Sequence, residues 1–284
     1  TSIGAYIDET LKHNLEFDIA NVVYNVYKDN YICSSIKNNV WYEYKNGRWY
    51  EIDQGTTLRH SLSTTIYKLY RNKSNELHDQ LTTIDPTTDS EQFELLKQRS
   101  TRAETCAASL KKTQIKNNIM REARDLFYER KFEELMDSHN HLLCFNNGVI
   151  DFETQVFREG VPEDFNSKST NIEYEPLDRN KHATIISEIE EFMCQLFPIE
   201  DLRRYMWDHL ASCLIGKNEN QTFNIYNGVG RNGKSALVTL MYKILGDYTG
   251  SVPISLITQK RGLIGGTSSE VVNLRGTRYA VMQE

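Results

Sequence analysis

The sequence predicts an α+β segment reaching to about residue 180, followed by an α/β segment that runs to residue 284. Three observations carry this. Two short runs rich in strand-forming residues flank turn signals, at 41–50 and 142–152. A long stretch, 91–136, has helical apolar spacing. Near the end, a strand-like run, a glycine-rich loop and an amphipathic helix follow one another at 222–245.

Val22, Val23, Val26 and Tyr27 give 18–29 a helical stripe. Trp41 to Tyr50 reads as a hairpin, because Asn46-Gly47 suits the two positive φ angles of a type I′ turn. Its aromatics offer a surface for stacking bases, but strands select such residues for packing anyway, and packing is the expectation. The polar run from Thr82 to Ser90, with Pro86, reads as a loop. Beyond it Leu95, Leu96, Leu110, Ile115, Ile119, Ala123, Leu126, Phe127 and Leu135 supply a core stripe. Leu142–Phe145 and Val149–Phe152 form a second hairpin around Asn146-Asn147-Gly148. The polar stretch 160–180, with Pro162 and Pro176, is the expected boundary between domains 1–180 and 181–284. Helical spacing returns from Ala183 to Leu214, broken at Pro198. Within it His209 stands alone among apolar neighbours and reads as structural.

Composition limits the function classes. The chain is 39% hydrophobic and 25% charged, which suits a globular protein, and its net charge is −6. A basic coat over the whole surface is thereby excluded, although a local nucleic-acid channel is not. Five scattered cysteines show no zinc-ligand spacing, and a reducing compartment is the expectation. No apolar run is long enough to span a bilayer and no signal peptide is evident. Membrane association is not expected. A chain that opens on Thr1 is expected to be part of a longer protein.

The chemistry-bearing motif is Gly228-Val229-Gly230-Arg231-Asn232-Gly233-Lys234-Ser235, which fits G-x-x-x-x-G-K-[ST] in full. Glycines let the backbone curl so that successive N–H groups face phosphate oxygens. Lys234 is expected to meet the β- and γ-phosphates of ATP, and the Ser235 hydroxyl to ligate Mg2+. The strand-like run Thr222–Asn227 precedes the loop. Leu237, Leu240, Met241, Ile244 and Leu245 then mark a helix whose dipole points at the anion. Downstream, Arg278 to Glu284 reads as a short apolar strand ending in a carboxylate. Glu284 is the candidate to hold magnesium and orient water.

These residues together resemble a known family. The loop, the following Leu245-Gly246-Asp247-Tyr248, and a Walker B-like strand soon afterwards are similar to a superfamily 3 helicase. More narrowly, the hairpin from Trp41 to Trp49 and the run Leu143 to Asp151 resemble the pre-helicase domain of the primase–helicases of large DNA viruses, the poxvirus-type family. Pro253 to Thr258 and Leu274 to Arg278 resemble that family's connection between Walker motifs. The resemblance implies an AAA+-type core behind an α+β pre-helicase domain with collar helices. It implies a hexameric ring that uses ATP and Mg2+ to move along single-stranded or forked DNA, with other replication proteins as further partners. It also implies an intracellular site, host-cell cytoplasm first and the nucleus second. Glu284 would polarise the attacking water. On this reading the third motif, the DNA-gripping hairpin and the arginine finger would lie beyond Glu284, and any primase set further N-terminal. These 284 residues would then not hydrolyse ATP by themselves.

A basic belt fits DNA handling. Residues 97–131 carry Lys97, Arg99, Arg102, Lys111, Lys112, Lys116, Arg121, Arg124, Arg130 and Lys131 against four acidic residues. Lys111, Lys112, Lys116, Arg121 and Arg124 are the candidate phosphate contacts, the plainer reading being a solvated helix face. A guanine-nucleotide switch is disfavoured because Asn72-Lys73-Ser74-Asn75 fails the base-reading motif at its last position. The remaining rivals are another P-loop NTPase and an oligomerisation or DNA-binding collar without catalysis.

Overall fold

The computed structural model describes residues 2–219, 221–258 and 274–282. It is a mixed α and β chain with small sheets, divided into two compact units. Unit 1 comprises Thr1–Lys45 and Tyr50–Glu133, and unit 2 comprises Asn46–Trp49 and Glu134–Glu284. The expected boundary near 180 falls inside unit 2. The reason is packing: the second hairpin buries Leu142, Leu143, Cys144 and Val149 in one cluster with Met193, Met206, Leu210, Leu237, Met241 and Leu245.

Unit 1 begins with α1 (Ile3–His13) and α2 (Glu16–Tyr27), then β1 (Tyr31–Ser35) and β2 (Val40–Lys45); β3 (Arg48–Ile52) starts in the short unit 2 segment Asn46–Trp49 and ends in unit 1. The sheet order is β1-β2-β3, with β1 antiparallel to β2 and Cys33 opposite Trp41. Asn46 at φ 51° and Gly47 at φ 76° form the turn expected from their sequence. The helices α3 (Thr56–Ser61), α4 (Tyr67–Thr82), α5 (Ser90–Ser109), α6 (Thr113–Leu126) and α7 (Phe132–Leu135) follow, α3 and α4 being joined by a π turn, Leu62–Ile66. The predicted long helical region is thus three helices, interrupted at 110–112 and again at 127–131. Trp41 is fully buried, in a core with Leu11, Leu58, Leu62, Ile66, Tyr70, Leu110 and Ile119. Packing, rather than base stacking, accounts for that aromatic. The small side chains Ser74 on α4 and Ser100 on α5 donate to one another's backbone carbonyls at 3.4 and 3.3 Å, so the two helices approach closely. Deep in the same core the Tyr70 hydroxyl donates to Thr10 Oγ1 at 3.0 Å, which satisfies a buried polar pair.

In unit 2, β4 (Leu142–Phe145), β5 (Gly148–Asp151) and β6 (Val156–Arg158) form an antiparallel meander, with Leu142 opposite Asp151 and Ile150 opposite Phe157. Next come α8 (Ala183–Leu196) and α9 (Glu200–Ser212), separated at Pro198 as the sequence predicts. Then follow α10 (Lys234–Leu245), β7 (Thr249–Ser251), α11 (Ser255–Thr258) and β8 (Tyr279–Val281), with β7 parallel to β8. Helix α10 buries Leu237, Val238, Met241 and Leu245, whereas Ile244, expected on that face, is 37% exposed.

The expected strand 222–227 does not form among the described residues; the backbone there is irregular. Phe223 and Ile225 are 80% and 78% exposed. An isolated strand gains no ladder bonds, and alternate apolar residues do not by themselves make one. Contacts to α9 hold the segment instead. Tyr226 Oη lies 2.8 Å from His209 Nε2, and Tyr205 Oη donates to Asn224 Oδ1 at 3.2 Å. His209 stacks on Tyr205 and meets the Tyr226 ring edge-on, a structural role in agreement with its reading from sequence.

Candidate phosphate-binding loop

Residues 228–233 form a loop that runs directly into α10, so that Lys234 and Ser235 open the helix. Arg231 at φ 61° and Gly233 at φ 80° are both left-handed, which turns the backbone sharply before the first helical turn. Gly233 is the strict position. Besides its φ, a Cβ there would sit 2.9 Å from Leu196 Cδ1 and 3.2 Å from its Cγ. Gly230, by contrast, has no atom within 4 Å of a built Cβ and no positive φ.

The Lys234 ammonium folds back over this loop. Its Nζ donates to Gly228 O at 2.8 Å, Val229 O at 3.3 Å and Asn232 Oδ1 at 2.8 Å. A cation is therefore held at the mouth of a curled backbone, at the positive end of a 12-residue helix. Val229, Arg231, Asn232 and Ser235 are not buried, so the loop is reachable from solvent. A helix N-terminus with a cation beside it favours an anion, and Ser235, the expected Mg2+ ligand, is exposed at the start of α10. Glu284, the expected partner carboxylate, lies outside the described residues.

Two contributions to the loop's position were not legible as site residues in the sequence. Leu196, at the end of α8, supports Gly233, and the pairing of Tyr205 and His209 with Asn224 and Tyr226 ties the entry segment to α9. Burial lowers the His209 pKa from its ordinary 6.5 and raises that of Tyr226, so both stay neutral in their mutual hydrogen bond near neutral pH.

The basic residues of unit 1 are not equivalent. Arg99 pairs with Asp8 at 2.7 Å, and Arg102 donates to the Leu11 and Lys12 carbonyls at 2.9 Å. Lys97 lies 3.8 Å from Glu94. Lys111 sits 4.1 Å over the Tyr67 ring, and Arg124 reaches Ile36 O at 3.4 Å. Lys112, Lys116 and Arg121 form no ion pair among the described residues. Lys112 and Arg121 are exposed and Lys116 is half-buried. The belt thus splits into residues that hold unit 1 together and a smaller set facing solvent. Among the described residues, no helix is long and apolar enough to cross a membrane and no cluster of His, Cys, Asp or Glu suits a metal ion.

Comparison with known proteins decides the family. The family model described as "D5 N terminal like" matches residues 20–198. The chain belongs to the D5 N-terminal-like family. The match covers all of unit 1 from residue 20 and continues through the β4–β6 meander and α8 of unit 2. The chain is also 33% identical over 281 residues to "Putative helicase L207/L206" of Acanthamoeba polyphaga mimivirus, covering 98% of this chain and 29% of that protein. It is 25% identical over 352 aligned positions to "Putative helicase 022R" of Frog virus 3, covering 94% and 36%. Over 178 residues it is 28% identical to "Putative primase C962R" of African swine fever virus, covering 60% and 18%. The chain therefore spans about a third or less of the length of these relatives. The resemblance to the poxvirus-type primase–helicase family is upheld at the level of family.

Proposed function

We propose that this chain is part of a viral replicative helicase of the primase–helicase type, which uses ATP hydrolysis to move along and unwind DNA. The observation that carries the proposal is one conjunction. A D5 N-terminal-like segment at 20–198 is followed in the same chain by a complete G-x-x-x-x-G-K-[ST] loop, with Lys234 held over the loop at the start of a helix. In this reading Gly228 to Ser235 bind ATP and Ser235 helps to hold Mg2+. Glu284 completes the metal site and orients water. ATP bound there supplies the phosphoanhydride, while Lys234 and the α10 N-terminus place positive charge beside it.

DNA is the proposed substrate, single-stranded or forked. Lys112, Lys116 and Arg121 are the best supported of the phosphate contacts, with Lys111 and Arg124 beside them. Self-association as a hexameric ring is proposed by the same family relation. It is supported by apolar side chains left uncovered on α8 and α9, Ile185, Leu202 and Tyr205 being 57%, 44% and 55% exposed. The proposed site of action is intracellular, at replication sites in the host cytoplasm or nucleus.

The test is Lys234→Ala in the full-length protein, with ATP hydrolysis and strand separation measured together. The expected loss in turnover is about 10²–10³, the cost typical of removing one preorganised donor from a developing charge. Turnover near that of the unmodified protein would remove the loop from the mechanism.

A further inference from the structure

The turn after α10 is bound by more directed contacts than a helix end requires. Gly246 has φ 53° and ψ −120°, and a Cβ there would lie 2.6 Å from the Thr170 carbonyl carbon and 2.9 Å from Ser169 O. The chain can turn only flush against that backbone. Asp247 N then donates to Ser169 O at 2.9 Å, and Ser169 N returns a bond to Asp247 Oδ2 at 3.1 Å. The same carboxylate receives Arg48 Nη1 at 3.0 Å and Asn171 Nδ2 at 2.7 Å, while Lys168 Nζ donates to Asp247 O at 3.2 Å. The next residue continues the lacing. Tyr248 Oη accepts from Cys144 N at 3.0 Å and donates to Lys168 O at 3.1 Å.

Arg48, Ser169 and Asn171 all lie within the D5 N-terminal-like segment, and Asp247 lies beyond it. Asp247 therefore joins that segment to the far end of the helix whose first residue is Lys234. The buried stripe of α10 fixes which face turns inward. Apolar burial is non-directional, however, and leaves the helix's tilt and axial position loosely determined. Charge-assisted hydrogen bonds supply the missing direction. A 12-residue helix is about 18 Å long. A tilt of about 5° around its clamped end would move the first turn by about 1.5 Å. Displacement on the order of 1 Å can cost a catalysed reaction about 100-fold.

We infer that Asp247 is a positioning residue: it anchors α10 to the D5 N-terminal-like segment and thereby sets where Lys234 and the phosphate loop stand. The inference rests on the nucleotide reading of that loop, and the experiment separates the two. In the full-length protein, Asp247→Ala, Asp247→Asn and Asn171→Ala are compared with Lys234→Ala. Two readouts are taken at a temperature where circular dichroism shows each variant folded. The first, made without nucleotide, is hydrogen exchange of the amides at 234–240, which is expected to quicken at least about threefold in Asp247→Ala. The second is titration with a fluorescent ATP analogue. A loss of about tenfold is expected for Asp247→Ala, with smaller losses for Asp247→Asn and for Asn171→Ala. The Asn171 variant removes one donor to the carboxylate and leaves the others, which keeps the proposal testable if Asp247→Ala does not fold.

Unchanged exchange at 234–240 in the folded variants overturns the positioning role, even if melting occurs earlier. So does unchanged nucleotide affinity alongside a Lys234→Ala variant that no longer binds. If exchange quickens but Lys234→Ala binds the analogue as well as the unmodified protein, the clamp stands and the nucleotide reading falls.

Discussion

Of the glycines at 228, 230 and 233 in the candidate phosphate loop, Gly233→Ala and Gly230→Ala form a matched pair with opposite expected outcomes. At Gly233 an alanine must either hold φ near +80° or rearrange the loop. Holding a left-handed conformation costs an L-residue about 1–2 kcal/mol. The new Cβ would also press on Leu196 Cδ1 at 2.9 Å, and displacing that side chain adds about 1 kcal/mol. The total, about 2–3 kcal/mol, exceeds what an exposed loop gains from its own contacts, so the loop should rearrange rather than bear the strain. Unit 2 as a whole would keep most of its stability, because Leu196 packs only at the margin of a core that lies chiefly under α10. The penalty should therefore surface in ligand binding, as a fall of at least tenfold in affinity for an ATP analogue with a shift in melting temperature of only a few degrees. Gly230→Ala meets no atom within 4 Å and needs no unusual φ, so it should change binding by less than about 0.5 kcal/mol. Isothermal titration of both variants beside thermal melts is the assay. Equal losses at the two positions, or intact binding in Gly233→Ala, would refute the argument that backbone geometry at 233 creates the site.

Three further outcomes are expected. Tyr248→Phe strips the hydroxyl that satisfies both Cys144 N and Lys168 O at a residue 3% exposed. It should destabilise unit 2 by about 2 kcal/mol, read by chemical denaturation; a change under about 0.5 kcal/mol would contradict the buried bonding. Neutralising Lys112, Lys116 and Arg121 together should weaken DNA binding and lower the slope of log affinity against log salt by about 0.7–0.9 for each phosphate no longer neutralised, whereas an unaltered slope would return them to a solvated face. Because burial lowers the His209 pKa from 6.5, its neutral form is favoured in the fold. That contribution is complete above about pH 6.5 and declines as the pH falls toward the lowered folded value. Denaturation midpoints across about pH 4–8 should lose part of their acid-side fall in His209→Gln, and an unchanged profile would dissociate His209 from it.

Where a segment's structure follows from local chemistry, the sequence was sufficient. Asn46-Gly47 demanded a turn with two positive φ angles and has one. Pro198 separates α8 from α9, and the stripe through Leu237, Met241 and Leu245 makes α10. The G-x-x-x-x-G-K-[ST] pattern was legible for the same reason, since Gly233 and Lys234 shape their loop within a few residues of one another. Alternation was a poorer guide at 222–227, where Phe223 and Ile225 alternate as in a strand but find no ladder partner among the described residues.

Features set within a turn or two of chain could be read from the residues alone: the hairpin turns, the helix faces, the loop with its lysine, and the family through their combination. Which basic residues are already committed, such as Arg99 to Asp8 and Arg102 to carbonyls at the end of α1, became visible only in the packed fold. The same holds for the core that the second hairpin shares with α8, α9 and α10, and for Asp247 gathering Arg48, Ser169 and Asn171 from more than 75 positions away along the chain. Turn type and helix face are local free energies fixed by φ, ψ and side-chain spacing. A hydrogen bond between residues far apart depends on the summed packing of everything between them, and no pattern along the chain encodes it.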